Sequence, residues 1–154
     1  MMIDIKGNQH IAADVIRQIE YLDHAVVNKQ VDSLMQQYDE QVCLFDLASH
    51  IDGVEDYREE WEKFCFCFRD KVRIVRRDMK LYVSDDIAVL HCYSKIENID
   101  DHSAMMPWCR TTMCLQLQKA HWRVIHQHIS LPMQLNSSSK AKADENLQKL
   151  DMVV

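Results

Sequence analysis

The chain has 154 residues, 47% of them apolar and 27% charged, with a formal net charge of −6 at pH 7. That is the profile of one globular domain, long enough to bury roughly 68–70% of its unfolded surface. The acidic balance leaves no basic surplus to release counterions from a phosphate backbone, so no nucleic-acid partner is expected. No stretch reaches the ~18 apolar residues of a membrane span, so no membrane partner is expected either.

Met1 to Lys6 lacks the basic-then-apolar pattern of a secretion signal. Residues 10–29 read as a helix, with Val15, Ile19, Leu22 and Val26 as its buried stripe. A short second helix follows, with Asp32 as its N-cap and Leu34, Met35 and Tyr38 on its buried side. Val42 to Leu47 reads as a strand and Ala48 to Asp52 as a loop. Gly53 precedes a third helix over residues 54–68, whose buried stripe is Tyr57, Trp61, Phe64 and Phe68. The period then changes. Val72–Ser84 and Ile87–Asn98 form two long strands around a tight turn at Ser84-Asp85-Asp86. Met105–Gln118 is a third, and Trp122 to Pro132 the last, after a turn at Lys119-Ala120-His121. Asn136 to Ser139 reads as a linker, so residues 1–134 form the domain and 135–154 a flexible or weakly helical tail. Lys71, Arg73, Arg76 and Arg77 read as a solvated strand edge.

The cysteines at 43, 65, 67, 92, 109 and 114 mostly sit among apolar residues and form no CxxC pair. They read as reduced core thiols in a cytoplasmic protein. The two glycines, Gly7 and Gly53, are too few for phosphate-cradling loops or a dinucleotide fold, and no cofactor is implied.

Three helices followed by a meander of long strands is an α+β order. With Tyr38-Asp39 leading into Val42 to Asp46, Gly53 to Trp61, Ser84 to Val89, Arg110-Thr111-Thr112 and the W-x-x-x-H-x-H-x-S-x-P run from Trp122, the chain resembles a SnoaL-like domain of the nuclear transport factor two-like superfamily. That superfamily includes ketosteroid isomerases, polyketide cyclases and kinase association domains. The resemblance implies a cystatin-like α+β barrel, in which a cone-shaped, curved antiparallel sheet with mixed edges closes over the N-terminal helices. It also implies an apolar pocket and a homodimer. Lys119-Ala120 departs from the Asp-Gly often found there, which leaves the turn type open.

By its distance before Gly53, Asp46 occupies the place of the isomerases' general base. A carboxylate in an apolar cone has its charged form destabilised, which suits a base near neutral pH. The alternative is a carboxylate that bonds the following loop. The isomerase tyrosine and second acid have no counterparts, since Leu22 and Thr112 or Met113 stand near their places. Isomerase activity is therefore not the leading reading.

His126 and His128 share one side of the last strand. They could form a metal site with His91, Cys92 or Cys109, but side-chain parity favours another role. Thr111, Met113, Leu115 and Leu117 make an apolar face, with Ile125 and Ile129 as their partners on the last strand. That leaves Arg110, His126 and His128 on the back of the sheet, at a dimer interface, and no metal is expected. Tyr57, Trp61 and Met113 would line the pocket with Asp46. The expected function is binding of a small, largely apolar molecule. An isomerase, cyclase or dehydratase using Asp46, and a non-catalytic partner subunit docking through its tail, are the alternatives.

Overall fold

The computed structural model describes residues 2–65, 71–104 and 106–134. Phe68, Cys67, the linker and the tail lie outside them.

Helix α1 (Gln9–Val27) starts where the Asn8 side chain accepts the backbone N–H of His10 and Ile11. It buries Val15, Ile19, Leu22 and Val26, as its spacing predicts. Helix α2 (Val31–Met35) is capped by Gln30 through its backbone alone, and Asp32 lies inside the first turn and pairs with Arg58. Helix α3 (Val54–Cys65) follows Gly53, whose φ of +90° suits glycine.

Seven strands make one open sheet: β1 (Ile3–Lys6), β2 (Tyr38–Phe45), β3 (His50–Asp52), β4 (Val72–Val83), β5 (Ile87–Asn98), β6 (Cys109–Gln118) and β7 (His121–Ser130). Their order is β1-β4-β5-β6-β7-β2-β3. β1 runs parallel to β4 and β2 parallel to β7, and the other pairs are antiparallel. Among the described residues no helix is long and apolar enough to cross a membrane.

Several elements differ from expectation. β1 has no counterpart in the sequence reading, since four alternating residues beside Gly7 give little signal. His50–Asp52 is a strand, because Ile51 alone needs burial and pairing with β2 provides it. Tyr38 belongs to β2, which begins four residues early, and β6 begins at Cys109.

Bulges on β4 and β7 set which of their side chains face the helices, and the β2–β7 register also shifts between Tyr38 and Cys43. Along β7, Leu115 pairs with Val124 but Cys114 pairs with His126, so Ile125 is an extra residue. Trp122 and Val124 therefore share a face with Gln127 and Ile129, not with His126 and His128 as strict alternation predicts. Along β4 the extra residue is Asp78, at φ +52°. It allows Ile74 and Arg76 to point inward together with Met79 and Leu81. Arg76 is thus not on a solvated edge: its side chain is 6% exposed and pairs with Asp23 of α1.

The β6–β7 turn places Lys119 at φ +49° and Ala120 at +68°. Both positions favour glycine or asparagine. Ala120→Gly is expected to raise stability by about 1 kcal/mol, read as an upward shift of the urea midpoint with an unchanged slope.

Candidate functional site

The helices and the curved sheet enclose a cavity of about 370 Å³. Leu22 and Val26 reach it from α1, Tyr57, Trp61 and Phe64 from α3, and Leu44 from β2. Ile74, Ile96, Met106, Met113 and Ile129 extend the apolar lining, and Phe45, Leu47 and Ala48 add to it at the end of β2. Alternation on β6 brings Cys109, Thr111 and Met113 inward, and the β7 bulge adds Gln127 beside them.

Few polar groups reach the cavity, and most are already paired. The Tyr38 hydroxyl donates to Gln127 Oε1 at 3.2 Å, with both residues buried. Ser94 and Thr111 share a hydroxyl–hydroxyl bond of 2.6 Å. Arg76 donates to both Asp23 oxygens, at 2.9 and 2.5 Å. Burial disfavours the charge on Arg76, but the Asp23 carboxylate more than offsets this and holds its pKa above the usual value. Tyr38 and Tyr57 meet edge to face, with centroids 4.9 Å apart. Burial, reinforced by Tyr57, pushes the Tyr38 phenol well above its ordinary pKa. The Tyr57 phenol is pushed up to about 12, chiefly by burial; Tyr38 opposes this and the Asp46 charge adds to it. Both phenols are neutral hydrogen-bonding groups at pH 7.

Asp46, Tyr57, Trp61 and Met113 all line this one cavity. Asp46 differs from expectation in its setting. It follows the last residue of β2 and is exposed at the mouth, where it accepts the Leu47 N–H at 2.7 Å, while its own N–H donates to Ser49 O at 2.8 Å. The side chain is exposed rather than buried because β2 ends at Phe45, one residue before it. Glu60, the other carboxylate on the lining, is also exposed.

Arg110, His126 and His128 lie on the opposite face of the sheet. The described helices pack on the cavity side, so among the described residues no helix covers this outer face. Register aligns its side chains in two rows. One runs Tyr82, Val89, Cys114, His126, Cys43 and Asp52; the other runs Lys80, His91, Thr112, His128, Phe45 and His50. The histidines do not assemble with Cys92 or Cys109, which are buried. Instead, His126 Nδ1 lies 2.8 Å from Cys43 O. The Phe45 ring makes T-shaped contacts with His50, His126 and His128. Cys43, His50 and Asp52 form a cluster that sequence reasoning missed. Its one signal was the alternation His50-Ile51-Asp52, which only a strand would turn into a shared face.

The model of the SnoaL-like domain matches residues 19–134. No curated protein matches the chain. Among solved structures, a nuclear transport factor two-like (NTF2-like) protein of unknown function from Pseudomonas putida is similar, with a TM-score of 0.76 and 20% identity over 86% of this chain and 94% of that one. A protein of unknown function with a cystatin-like fold from Nostoc punctiforme has a TM-score of 0.71 and 12% identity over 83% and 96%. A protein from Catenulispora acidiphila, solved in complex with S-DNPA, has a TM-score of 0.69 and 12% identity over 80% and 94%. At these identities the likeness shows the fold, which is cystatin-like and α+β.

The Tyr57 phenol gives a pH-dependent term with a definite sign. Its ordinary pKa is about 10, so between pH 10 and about 12 the unfolded chain has ionised while the folded one keeps the proton. Stability is therefore intact below about pH 10 and declines across that window, by on the order of 2–3 kcal/mol. Alkaline ultraviolet titration is expected to show a phenol ionising near pH 12 that is missing in Tyr57→Phe.

Proposed function

From the premise that the chain belongs to the SnoaL-like domain family, we propose that it binds a small, mainly apolar molecule in the cavity between helices and sheet. The carrying observation is the cavity itself: about 370 Å³, apolar over most of its lining, with a few paired polar groups. Ligand pockets commonly fall in the range of about 300–1,000 Å³ with this kind of lining. The hydroxyls of Ser94 and Thr111 and the Tyr38–Gln127 pair offer hydrogen bonds to a polar end of the ligand. The S-DNPA complex of a structurally similar protein supports the same reading.

Binding ranks ahead of proton transfer because Asp46 and Glu60 sit exposed at the mouth. The Asp46 charge reaches Tyr57, but Tyr57 is a neutral phenol far from its own titration range at pH 7. The five described cysteines are free thiols, which supports a reducing, cytoplasmic setting.

The partner in this reading is a second copy of the chain, packed on the uncovered outer face. Phe45 and Tyr82 stand 40% and 45% exposed there, beside Val89, Cys114, Arg110, His126 and His128. Association would cover aromatic surface that stands exposed among the described residues.

Two measurements test these statements. Nile red, a neutral apolar fluorophore, should bind saturably at one per chain. Met113→Trp, whose ring fills the cavity, should weaken it at least tenfold, about 1.4 kcal/mol, and Asp46→Asn should leave it unchanged. Unsaturable binding, or full affinity in Met113→Trp, would overturn the cavity assignment. Light scattering after gel filtration should give a dimer at micromolar concentration and a monomer for Val89→Arg. A wild-type monomer would remove the outer-face interface.

A further inference from the structure

The hairpin of β2 and β3 carries a second constellation, independent of the cavity. Cys43 and Asp52 are directly paired across the two strands, and His50 lies two residues before Asp52 on the same outer face. The three ligand atoms lie within 4.8 Å of one another. Cys43 Sγ is 3.5 Å from His50 Nε2, and that same nitrogen is 3.1 Å from Asp52 Oδ1.

The shared nitrogen decides between two chemistries. A cysteine–histidine–aspartate relay needs the thiol on one ring nitrogen and the carboxylate on the other, so that the ring can pass a proton between them. Here both face Nε2, so no relay exists. A thiol and a carboxylate on the same imidazole nitrogen, with all three donor atoms within 4.8 Å of one another, suit a cation. For a tetrahedral zinc with Zn–S of about 2.3 Å and Zn–N and Zn–O of about 2.0–2.1 Å, the S···N edge is roughly 3.6 Å and the N···O edge roughly 3.4 Å. The observed separations lie within half an ångström of both. Phe45 packs edge-on against the His50 ring, centroids 5.0 Å apart, which holds the imidazole in place.

We propose that Cys43, His50 and Asp52 form a binding site for a divalent transition-metal ion of the zinc class, with the fourth position open to solvent. The donor set of thiolate, imidazole and carboxylate is the one such ions take, and it excludes calcium and magnesium, which want oxygen ligands only. Without a cation Cys43 is a thiol, its pKa pushed up by burial and by the Asp52 charge. Binding therefore releases one proton from Cys43 to solvent and forms the metal–sulfur bond in its place. The cation joins β3 to β2 at the base of the Asp46–Ser49 loop, which forms part of the cavity mouth.

Cobalt(II) titration of the full chain in thiol-free buffer tests this. The expected result is a thiolate-to-cobalt charge-transfer band that saturates at one ion per chain and is displaced by one equivalent of zinc. The band should vanish in Cys43→Ser and persist in Cys114→Ser. His50→Gln, at an exposed position that leaves the core untouched, should weaken cobalt at least tenfold, and carries the test if Cys43→Ser does not fold. Absence of the band, its survival in Cys43→Ser, or undiminished affinity in His50→Gln would each overturn the site and leave a hydrogen-bonded surface cluster. Nile red binding reads the cavity separately, so failure of one leaves the other standing.

Discussion

Side-chain parity in the long strands is the constraint on which the structure depends. A strand turns alternate residues to opposite faces, and one inserted residue reverses every side chain beyond it. This chain uses that reversal at Asp78 and at Ile125. On β4 it lets Arg76 and Leu81, five positions apart, both face the helices. On β7 it lets Val124 and Gln127, three apart, both do so. Were β7 to alternate regularly through Ile125, the histidines would enter the apolar interior and the Tyr38 hydroxyl would lose its bond to Gln127. Such a loss costs about 0.5–1.5 kcal/mol. The bulges also bend the strands they interrupt, so one device sets both the curvature that opens the cavity and the residues that line it.

The inward turn of Arg76 brings a charge to the cavity wall, and Asp23 on α1 meets it. The pair joins the helix layer to the sheet. It contributes little net stability, because desolvation offsets most of the attraction, but removing one partner would leave a buried charge and cost about 3–5 kcal/mol. Its fork geometry fixes how α1 sits over β4, and hence where Leu22 and Val26 enter the cavity. Neutralised in this way, the arginine is a poor anchor for an anionic ligand, which fits an apolar occupant.

What could be read from the sequence followed how local each signal was. The helix stripes of Val15, Ile19, Leu22 and Val26, and of Tyr57, Trp61, Phe64 and Phe68, rest on spacing within one element; the first is buried throughout, and in the second Tyr57 and Trp61 are buried, Phe64 is half-buried and Phe68 lies outside the described residues. The alternation of Thr111, Met113, Leu115 and Leu117 lies within β6, and the structure buries the first three while Leu117, near the strand end, is exposed. Ile125 looked like its partner across the ladder but is the inserted residue, since a bulge is defined by two strands together. β1 and β3 are too short to show a period, and they exist because longer neighbours pair with them. The same nonlocality hid the environment of Asp46. Its place before Gly53 was legible; the end of pairing at Phe45, which leaves it in solvent, was not.

The β2–β3 hairpin shows how one short element can serve two surfaces. Val42, Leu44 and Ile51 point inward and are buried, while Cys43, Phe45, His50 and Asp52 alternate outward. Any change in the pairing of these strands must therefore move the cavity mouth and the outer cluster together. Three residue pairs hold the register. One of them, Phe45 with His50, lies directly beside the Asp46–Ser49 loop. β2 is held on its other side by β7 and by the buried Val42 and Leu44, whereas β3 is tethered to the core by burial of Ile51. An interaction across Cys43, His50 and Asp52 would add a second tether on the far side of the sheet, where it costs the cavity no apolar surface.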